Sequence, residues 1–197
     1  MSSCRTSSDP AQPAATGRLV VVSAPSGAGK TTLIAKAAER LPQLAVAVSV
    51  TTRPPRPGER DGVDYYFFTP ERFDRCLADD AFVEWAEVHG NRYGTMKSEI
   101  DRHLARGRIV LFELDVQGMR SMRKLYPRMT SVFIAPPSLE ELEHRLVLRG
   151  VNDADDMAVR LKNAAEEMRA QDEFDHVVVN DDLERATAQL TAIIQGR

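Results

Sequence analysis

Only two cysteines, Cys4 and Cys76, occur in the 197 residues, so no disulfide framework holds this chain together and a reducing cytoplasm is its natural setting. No apolar run approaches the roughly 18 residues that a membrane-spanning helix requires, and no membrane partner is expected. A basic excess is missing as well. The 26 Lys and Arg stand against 29 Asp and Glu, a formal net charge of -3, which argues against a protein built to bind nucleic acid polymers. The four histidines show no metal-ligand spacing. Residues 1–16, MSSCRTSSDPAQPAAT, lack the apolar stretch of a secretory signal and read as a disordered tail. What is present, 43% hydrophobic and 28% charged residues, suffices for a globular domain with a real core.

Short runs rich in β-branched residues, Leu19–Val22, Leu44–Val50, Ile109–Leu114, Ser131–Ala135 and His176–Val179, alternate with helical periodicity at 30–40, 70–79, 96–106, 117–125, 138–149, 154–171 and 182–195. That alternation predicts an α/β fold with a mostly parallel sheet flanked by helices. Two regions break the rhythm. Residues 51–64, TTRPPRPGERDGVD, carry too much Pro and Gly for a regular element. Residues 65–95 then bring YYFF and FVEWAEV, which predict a small antiparallel unit inserted between strands of the main sheet. The polar link at 149–157, RGVNDADDM, reads as a mobile flap.

The stretch SAPSGAGKTTLI, residues 23–34, lies between the first strand and the first helix. Glycines there let successive backbone N–H groups face one anion, and the helix N-terminus adds its partial positive charge. Lys30 would reach the outer phosphates of a nucleoside triphosphate, and the Thr31 hydroxyl would ligate Mg²⁺. In the usual spacing G-x-x-x-x-G-K-[ST], Ala24 replaces the first glycine. A tight turn carrying an incidental lysine is the competing structural explanation. Such a loop, Ser26 to Thr32 with Gly27, Ala28 and Gly29 between, says triphosphate and no more.

A second anion is suggested by Arg53 and Arg56, three residues apart on a proline-stiffened segment. Planar guanidinium groups on a pre-ordered backbone suit a phosphate monoester, and Tyr65 and Tyr93 can add phenolic donors. Arg60 either joins them or pairs with Glu59 beside it. If Phe82–Val88 is a strand, Glu84 and Ala86 share one face, and Val83, Trp85 and Glu87 the other. A carboxylate aimed into a nucleotide pocket accepts N1–H and N2–H₂ of guanine together and is repelled by the N1 acceptor of adenine. Discrimination of this kind reaches about 10⁴ to 10⁵. Ser49 and Thr95 would supply hydroxyl donors to O6. Alternatively, Glu84 is a solvated face residue.

SAPSGAGKTTL, SVTTRPPRPGERDGVDYYF, FVEWAEVHGNRYGT, VLFELDVQGM and VVVNDDL, in that order, resemble the guanylate kinase family from about Leu19 to the C-terminus. The resemblance implies a P-loop core at 17–48, 96–138 and 172–197, an inserted small mixed β GMP-binding subdomain at 49–95 and a helical lid at 139–171. It implies that ATP and GMP are the small-molecule substrates, with tolerance of dGMP and the oligomeric state left open. Ser49, Glu84 and Thr95 would read guanine, while Arg53, Arg56, Tyr65 and Tyr93 would hold the GMP phosphate. Glu113 and Asp115 would lie near Mg²⁺ and GMP. Arg145, Arg149 and Arg160 would come from the lid, and with Lys30 and Arg56 would surround the transferring phosphoryl. Asn180 would lie near adenine, although Asn-Asp-Asp after a strand also makes a helix N-cap. A GTPase is disfavoured because the DVQG run at 115–118 has no N-K-x-D partner. A sugar-phosphate kinase would have no use for Glu84, and a non-catalytic binding module no use for Lys30 and Thr31.

Overall fold

The computed structural model describes residues 17–88, 90–148 and 153–196, so the expected tail at 1–16 and Arg149 fall outside the described residues. Among the described residues nine strands and seven α-helices follow in order: β1 (Arg18–Ser23), α1 (Lys30–Arg40), β2 (Leu44–Val46), β3 (Val50–Thr51), β4 (Tyr66–Phe67), α2 (Pro70–Ala78), β5 (Phe82–Val88), β6 (Asn91–Met96), α3 (Lys97–Leu104), β7 (Ile109–Glu113), α4 (Val116–Leu125), β8 (Thr130–Ala135), α5 (Leu139–Leu148), α6 (Ala154–Arg169), β9 (His176–Val179) and α7 (Leu183–Gln195). The main sheet has the order β2-β7-β1-β8-β9 and every pairing in it is parallel. Its strands are continuous apolar runs because both faces are covered. Along β1, Leu19 and Val21 join a core with Phe112, Phe133, Ile100 of α3 and Met119 and Met122 of α4. Val20 and Val22 point the other way, into a core with Leu33 and Ile34 of α1 and Leu190 and Ile194 of α7.

The run Leu44–Val50, expected as one strand, is two strands in different sheets. β2 pairs with β7 only through Val46, and the Ala47 N–H makes a last bond of 2.8 Å to the Leu111 carbonyl. Three residues later Val50 lies opposite Gly94 in the second sheet. Residues 47–49 are therefore the crossing point, and Ser49 is placed between the two sheets.

The second sheet, β4-β3-β6-β5, is the small mixed unit expected: β3 and β4 run parallel, while β3–β6 and β5–β6 are antiparallel. The intervening loop carries the chain back to the start of β3, so β4 runs beside it in the same sense. A bulge between Phe82 and Glu84 also changes the facing inferred from simple alternation. Phe82 stacks on Phe73 of α2 at 4.4 Å, and Trp85 meets the same ring edge-on at 6.4 Å. Val83 instead enters the main core. Val83 and Trp85 are thus on opposite sides, and Glu84 is turned away from α2.

Phe73 is fully buried and joins α2 to β5. Phe73→Ala should cost about 3–5 kcal/mol and be read by urea unfolding followed through Trp85, the only tryptophan. A change below about 1 kcal/mol would mean that this small core collapses onto the cavity without loss.

Candidate functional site

The carboxyl ends of the parallel strands converge at one edge, where α/β sheets bind ligands. At the end of β1 the Ser23 hydroxyl donates 2.8 Å to the Leu114 carbonyl, fixing the start of the phosphate loop against the residues after β7. The loop turns through Gly27 (φ 94°) and Gly29 (φ 91°), left-handed conformations that a Cβ disfavours. Gly29 is the N-cap of α1 and offers no side-chain acceptor, so the first N–H groups of the helix remain available to an anion.

Lys30 Nζ lies 3.6 Å from Glu113 Oε1 and donates 3.5 Å to the Leu114 carbonyl. The Thr31 hydroxyl donates 3.1 Å to the same Glu113 oxygen. Lys30, Glu113 and Leu114 border a polar cavity of about 190 Å³ whose lining also includes Ser49, Tyr65 and Asp115. Asp115 Oδ1 accepts the Gly118 N–H at 2.7 Å and caps α4, so one of its oxygens is already committed. Burial pushes the Tyr65 phenol above its usual pKa, and the Glu113 carboxylate adds to the effect.

Across the cavity, Arg53 donates from one nitrogen to both oxygens of Glu59, at 2.8 and 3.0 Å. Glu59 also accepts the Arg56 N–H at 2.7 Å. The Glu59 carboxylate therefore pairs with Arg53, not with the adjacent Arg60, whose N–H goes to Asp64 instead. Hydrogen bonding to Glu59 holds the Arg53 guanidinium above its ordinary pKa, while Arg53 holds the Glu59 carboxyl below its own. The Arg53 guanidinium sits 5.6 Å over the Tyr65 ring, and Tyr65 meets Tyr93 edge-on at 6.1 Å. Arg53, Tyr65 and Tyr93 thus form one cluster, whereas the Arg56 side chain is exposed.

Glu84 accepts a 2.8 Å hydrogen bond from the buried Thr95 hydroxyl. Burial raises the Glu84 pKa, the Thr95 bond partly offsets this, and Asp115 raises it further. Thr95 therefore directs its proton at Glu84 and orients the carboxylate. Glu167 of α6 is also raised by burial, with Lys30 opposing and Asp115 adding.

On the other side of the phosphate loop, a cleft of about 380 Å³ is lined by Gly27, Gly29, Thr32, Arg145, Leu148 and Asn180, among others. Arg145 Nε donates 2.8 Å to Glu141, and Arg160 Nε donates 3.0 Å to Asp156. Arg160 lines neither this cleft nor the cavity at Lys30. The N-cap of α7 is Asp182, which accepts the Arg185 N–H at 2.8 Å, so Asn180 is free of that duty.

The guanylate kinase family model matches residues 16–197. This chain belongs to the guanylate kinase family. It is 50% identical over 181 residues to a guanylate kinase of Aromatoleum aromaticum, with 91% of this chain and 88% of that protein covered. It is 46% identical over 185 residues to one from Synechococcus sp., with 94% and 85% covered. A solved guanylate kinase from Anaplasma phagocytophilum superposes with a TM-score of 0.74 at 32% identity, covering 92% of this chain and 86% of that one.

In this guanylate kinase family member, several side chains escape a reading of motifs. Glu141–Arg145 and Asp156–Arg160 have the four-residue spacing of helical ion pairs and were legible in that sense. Ser23, Glu59 and Glu167 carried no such signal.

The folded protein binds the Glu84 proton more tightly than the unfolded chain does. Stability from this group is therefore present below the ordinary glutamate pKa of about 4.3 and lost as pH rises through the elevated folded value. Glu84→Gln keeps an acceptor for Thr95 and removes the loss. Its unfolding midpoint should rise relative to the parent as pH increases from the ordinary glutamate value of about 4.3 upward. A gap that stays constant across this range would contradict the burial of a charged Glu84.

Proposed function

We propose that the protein transfers the γ-phosphoryl of ATP to GMP, giving ADP and GDP, within guanine nucleotide synthesis and recycling in the cytoplasm. One observation carries this reading. Lys30 of the phosphate loop and Ser49 and Tyr65 of the second-sheet region face one cavity, so a triphosphate and a monophosphate can meet there. Membership of the guanylate kinase family supports it. No described helix is long and apolar enough to cross a membrane.

In this scheme residues 26–32 cradle the ATP phosphates, and Asn180 lines the cleft that receives the adenosine. Residues 49–95 form the GMP-binding subdomain and 139–171 the lid on the core. Arg53, Arg56, Tyr65 and Tyr93 hold the GMP phosphate. Glu84, set by Thr95, accepts the N1–H and N2–H₂ edge of guanine, with Ser49 and Asp115 completing the pocket. The raised Glu84 pKa suits this work, because a desolvated carboxylate gains most from two donors arriving together.

Thr31 and Glu113 present hard oxygen donors 3.1 Å apart and fit Mg²⁺, with Asp115 nearby. Mg²⁺ is usually bound by one or two side chains together with substrate phosphates and water, which this small donor set can supply. When bound, Mg²⁺ neutralises charge on the β and γ phosphates. The GMP phosphate oxygen attacks the γ phosphorus in line, the bond to the β-phosphate oxygen breaks, and ADP leaves. Lys30, Arg56, Arg145, Arg149 and Arg160 offset the charge that moves. Catalysis is positioning plus electrostatic stabilisation, with no covalent protein intermediate.

The arginines are not idle beforehand. Arg53, Arg145 and Arg160 each rest on a carboxylate, which the substrate phosphates would displace. Half-exposed pairs such as Arg160–Asp156 are worth about 0–1 kcal/mol, so bidentate phosphate contacts overcome them readily.

The test is ADP formation from Mg-ATP with GMP, dGMP, AMP, CMP, UMP and ribose phosphates offered singly. Turnover on guanine monophosphates, lost with Lys30→Ala, is expected. Equal turnover on AMP would remove Glu84 as the base reader, and none on any acceptor would leave a nucleotide-binding role alone.

A further inference from the structure

A loop that aims its amides at an anion must aim its carbonyls away, and those carbonyls need donors. Ala28, in the middle of the phosphate loop, is fully buried, so water cannot serve its carbonyl. The donor is Asn180, whose side-chain nitrogen gives a buried 2.7 Å hydrogen bond to Ala28 O from 152 residues away. A buried carbonyl left without a partner is strongly unfavourable. That cost would fall on the anion-binding conformation itself.

Three further contacts fix Asn180 in this position. Its own N–H donates 2.8 Å to the Ala135 carbonyl, carrying the β8–β9 ladder one residue past β9. Its carbonyl accepts 3.0 Å from Arg145 Nη2, while Arg145 Nε is held by Glu141 at 2.8 Å. Gly29 packs so closely that a Cβ there would overlap the Asn180 amide nitrogen. At Gly27 a Cβ would meet Leu142 at 3.0 Å and Leu146 at 3.1 Å, so α5 lies directly on the loop. The two left-handed glycines thus admit Asn180 on one side and α5 on the other.

We infer that Asn180 is a positioning residue which ties the phosphate loop to Arg145 of α5, acting through the loop backbone in addition to any contact with the adenine ring. Its amide holds Ala28 so that the loop N–H groups stay directed at the phosphates. Its backbone carbonyl holds the Arg145 guanidinium at the same edge. Loop and arginine are thereby set relative to each other before nucleotide arrives. The inference rests on the phosphate-loop reading of residues 23–32 but not on which monophosphate is the acceptor.

Inorganic tripolyphosphate separates the two roles, since it has phosphates and no base. Asn180→Ala and the isosteric Asn180→Asp, which cannot donate to Ala28, would be compared with the parent. The readouts are calorimetric binding of Mg-ATP, Mg-tripolyphosphate and GMP, and hydrogen exchange of the 24–33 segment in the ligand-free protein. Each variant should bind both Mg-ATP and Mg-tripolyphosphate more weakly, by about tenfold or more for loss of one buried hydrogen bond. Asn180→Asp should be the worse, because its carboxylate faces both the Ala28 carbonyl and the incoming anion. GMP affinity should be unchanged and loop exchange faster. Weaker ATP binding with tripolyphosphate binding and loop exchange both unchanged would overturn the inference and leave Asn180 as a base contact only. If the parent itself binds neither ATP nor tripolyphosphate, the proposed function fails, and the exchange comparison still decides whether Asn180 orders the loop. If Asn180→Ala does not fold, Asn180→Asp, which preserves shape and volume, supplies every comparison.

Discussion

The phosphate loop imposes one constraint on everything around it: its amides must face a single point, so its carbonyls and its missing side chains face the protein. Left-handed Gly27 and Gly29 make that turn possible, and the space they leave is filled by Leu142, Leu146 and Asn180. The loop must also start from a strand that does not move. β1 is the central strand, with Val21 and Val22 fully buried on opposite faces and Ser23 bonded to Leu114. Leu114 lies between Glu113, which contacts Lys30 and Thr31, and Asp115, which lines the same cavity as Lys30. The rigid sheet, the anion cradle and the acidic pair are one connected arrangement.

Charge sets the second constraint. Two phosphate groups repel each other, and a site rich enough in cations to join them would be repelled by itself when empty. Four of the cations proposed for the site have a carboxylate partner: Lys30 with Glu113, Arg53 with Glu59, Arg145 with Glu141 and Arg160 with Asp156. These pairs are partly exposed, hence weak and exchangeable. Glu84 differs in kind, because it is desolvated and held by Thr95, and a carboxylate in that state has most to gain from a ligand with paired donors.

Much of this was legible in the chain. Helix spans followed the apolar period, and the Gly-Ala-Gly-Lys-Thr run between a strand and a helix identified the phosphate loop. Failures came where local pattern does not encode a partner. Leu44–Val50 reads as one strand because hydrophobicity does not say which sheet a residue joins, and the crossing at 47–49 depends on where β7 and β6 end. The bulge at Val83 inverts an alternation that looks regular on paper. Glu59 finds Arg53 through a loop conformation with no period. The bond from Asn180 to Ala28 spans nearly the whole chain, and no spacing rule reaches that far.

The central claim is that triphosphate and guanine monophosphate bind side by side with their phosphates meeting over Lys30. Adenosine and guanosine joined 5′ to 5′ through five phosphates test this most directly. Inhibition kinetics should show competition with ATP and with GMP alike, and affinity above that of either substrate, since one molecule then bears a single association cost for two sites. Competition with only one of the two nucleotides would contradict the account.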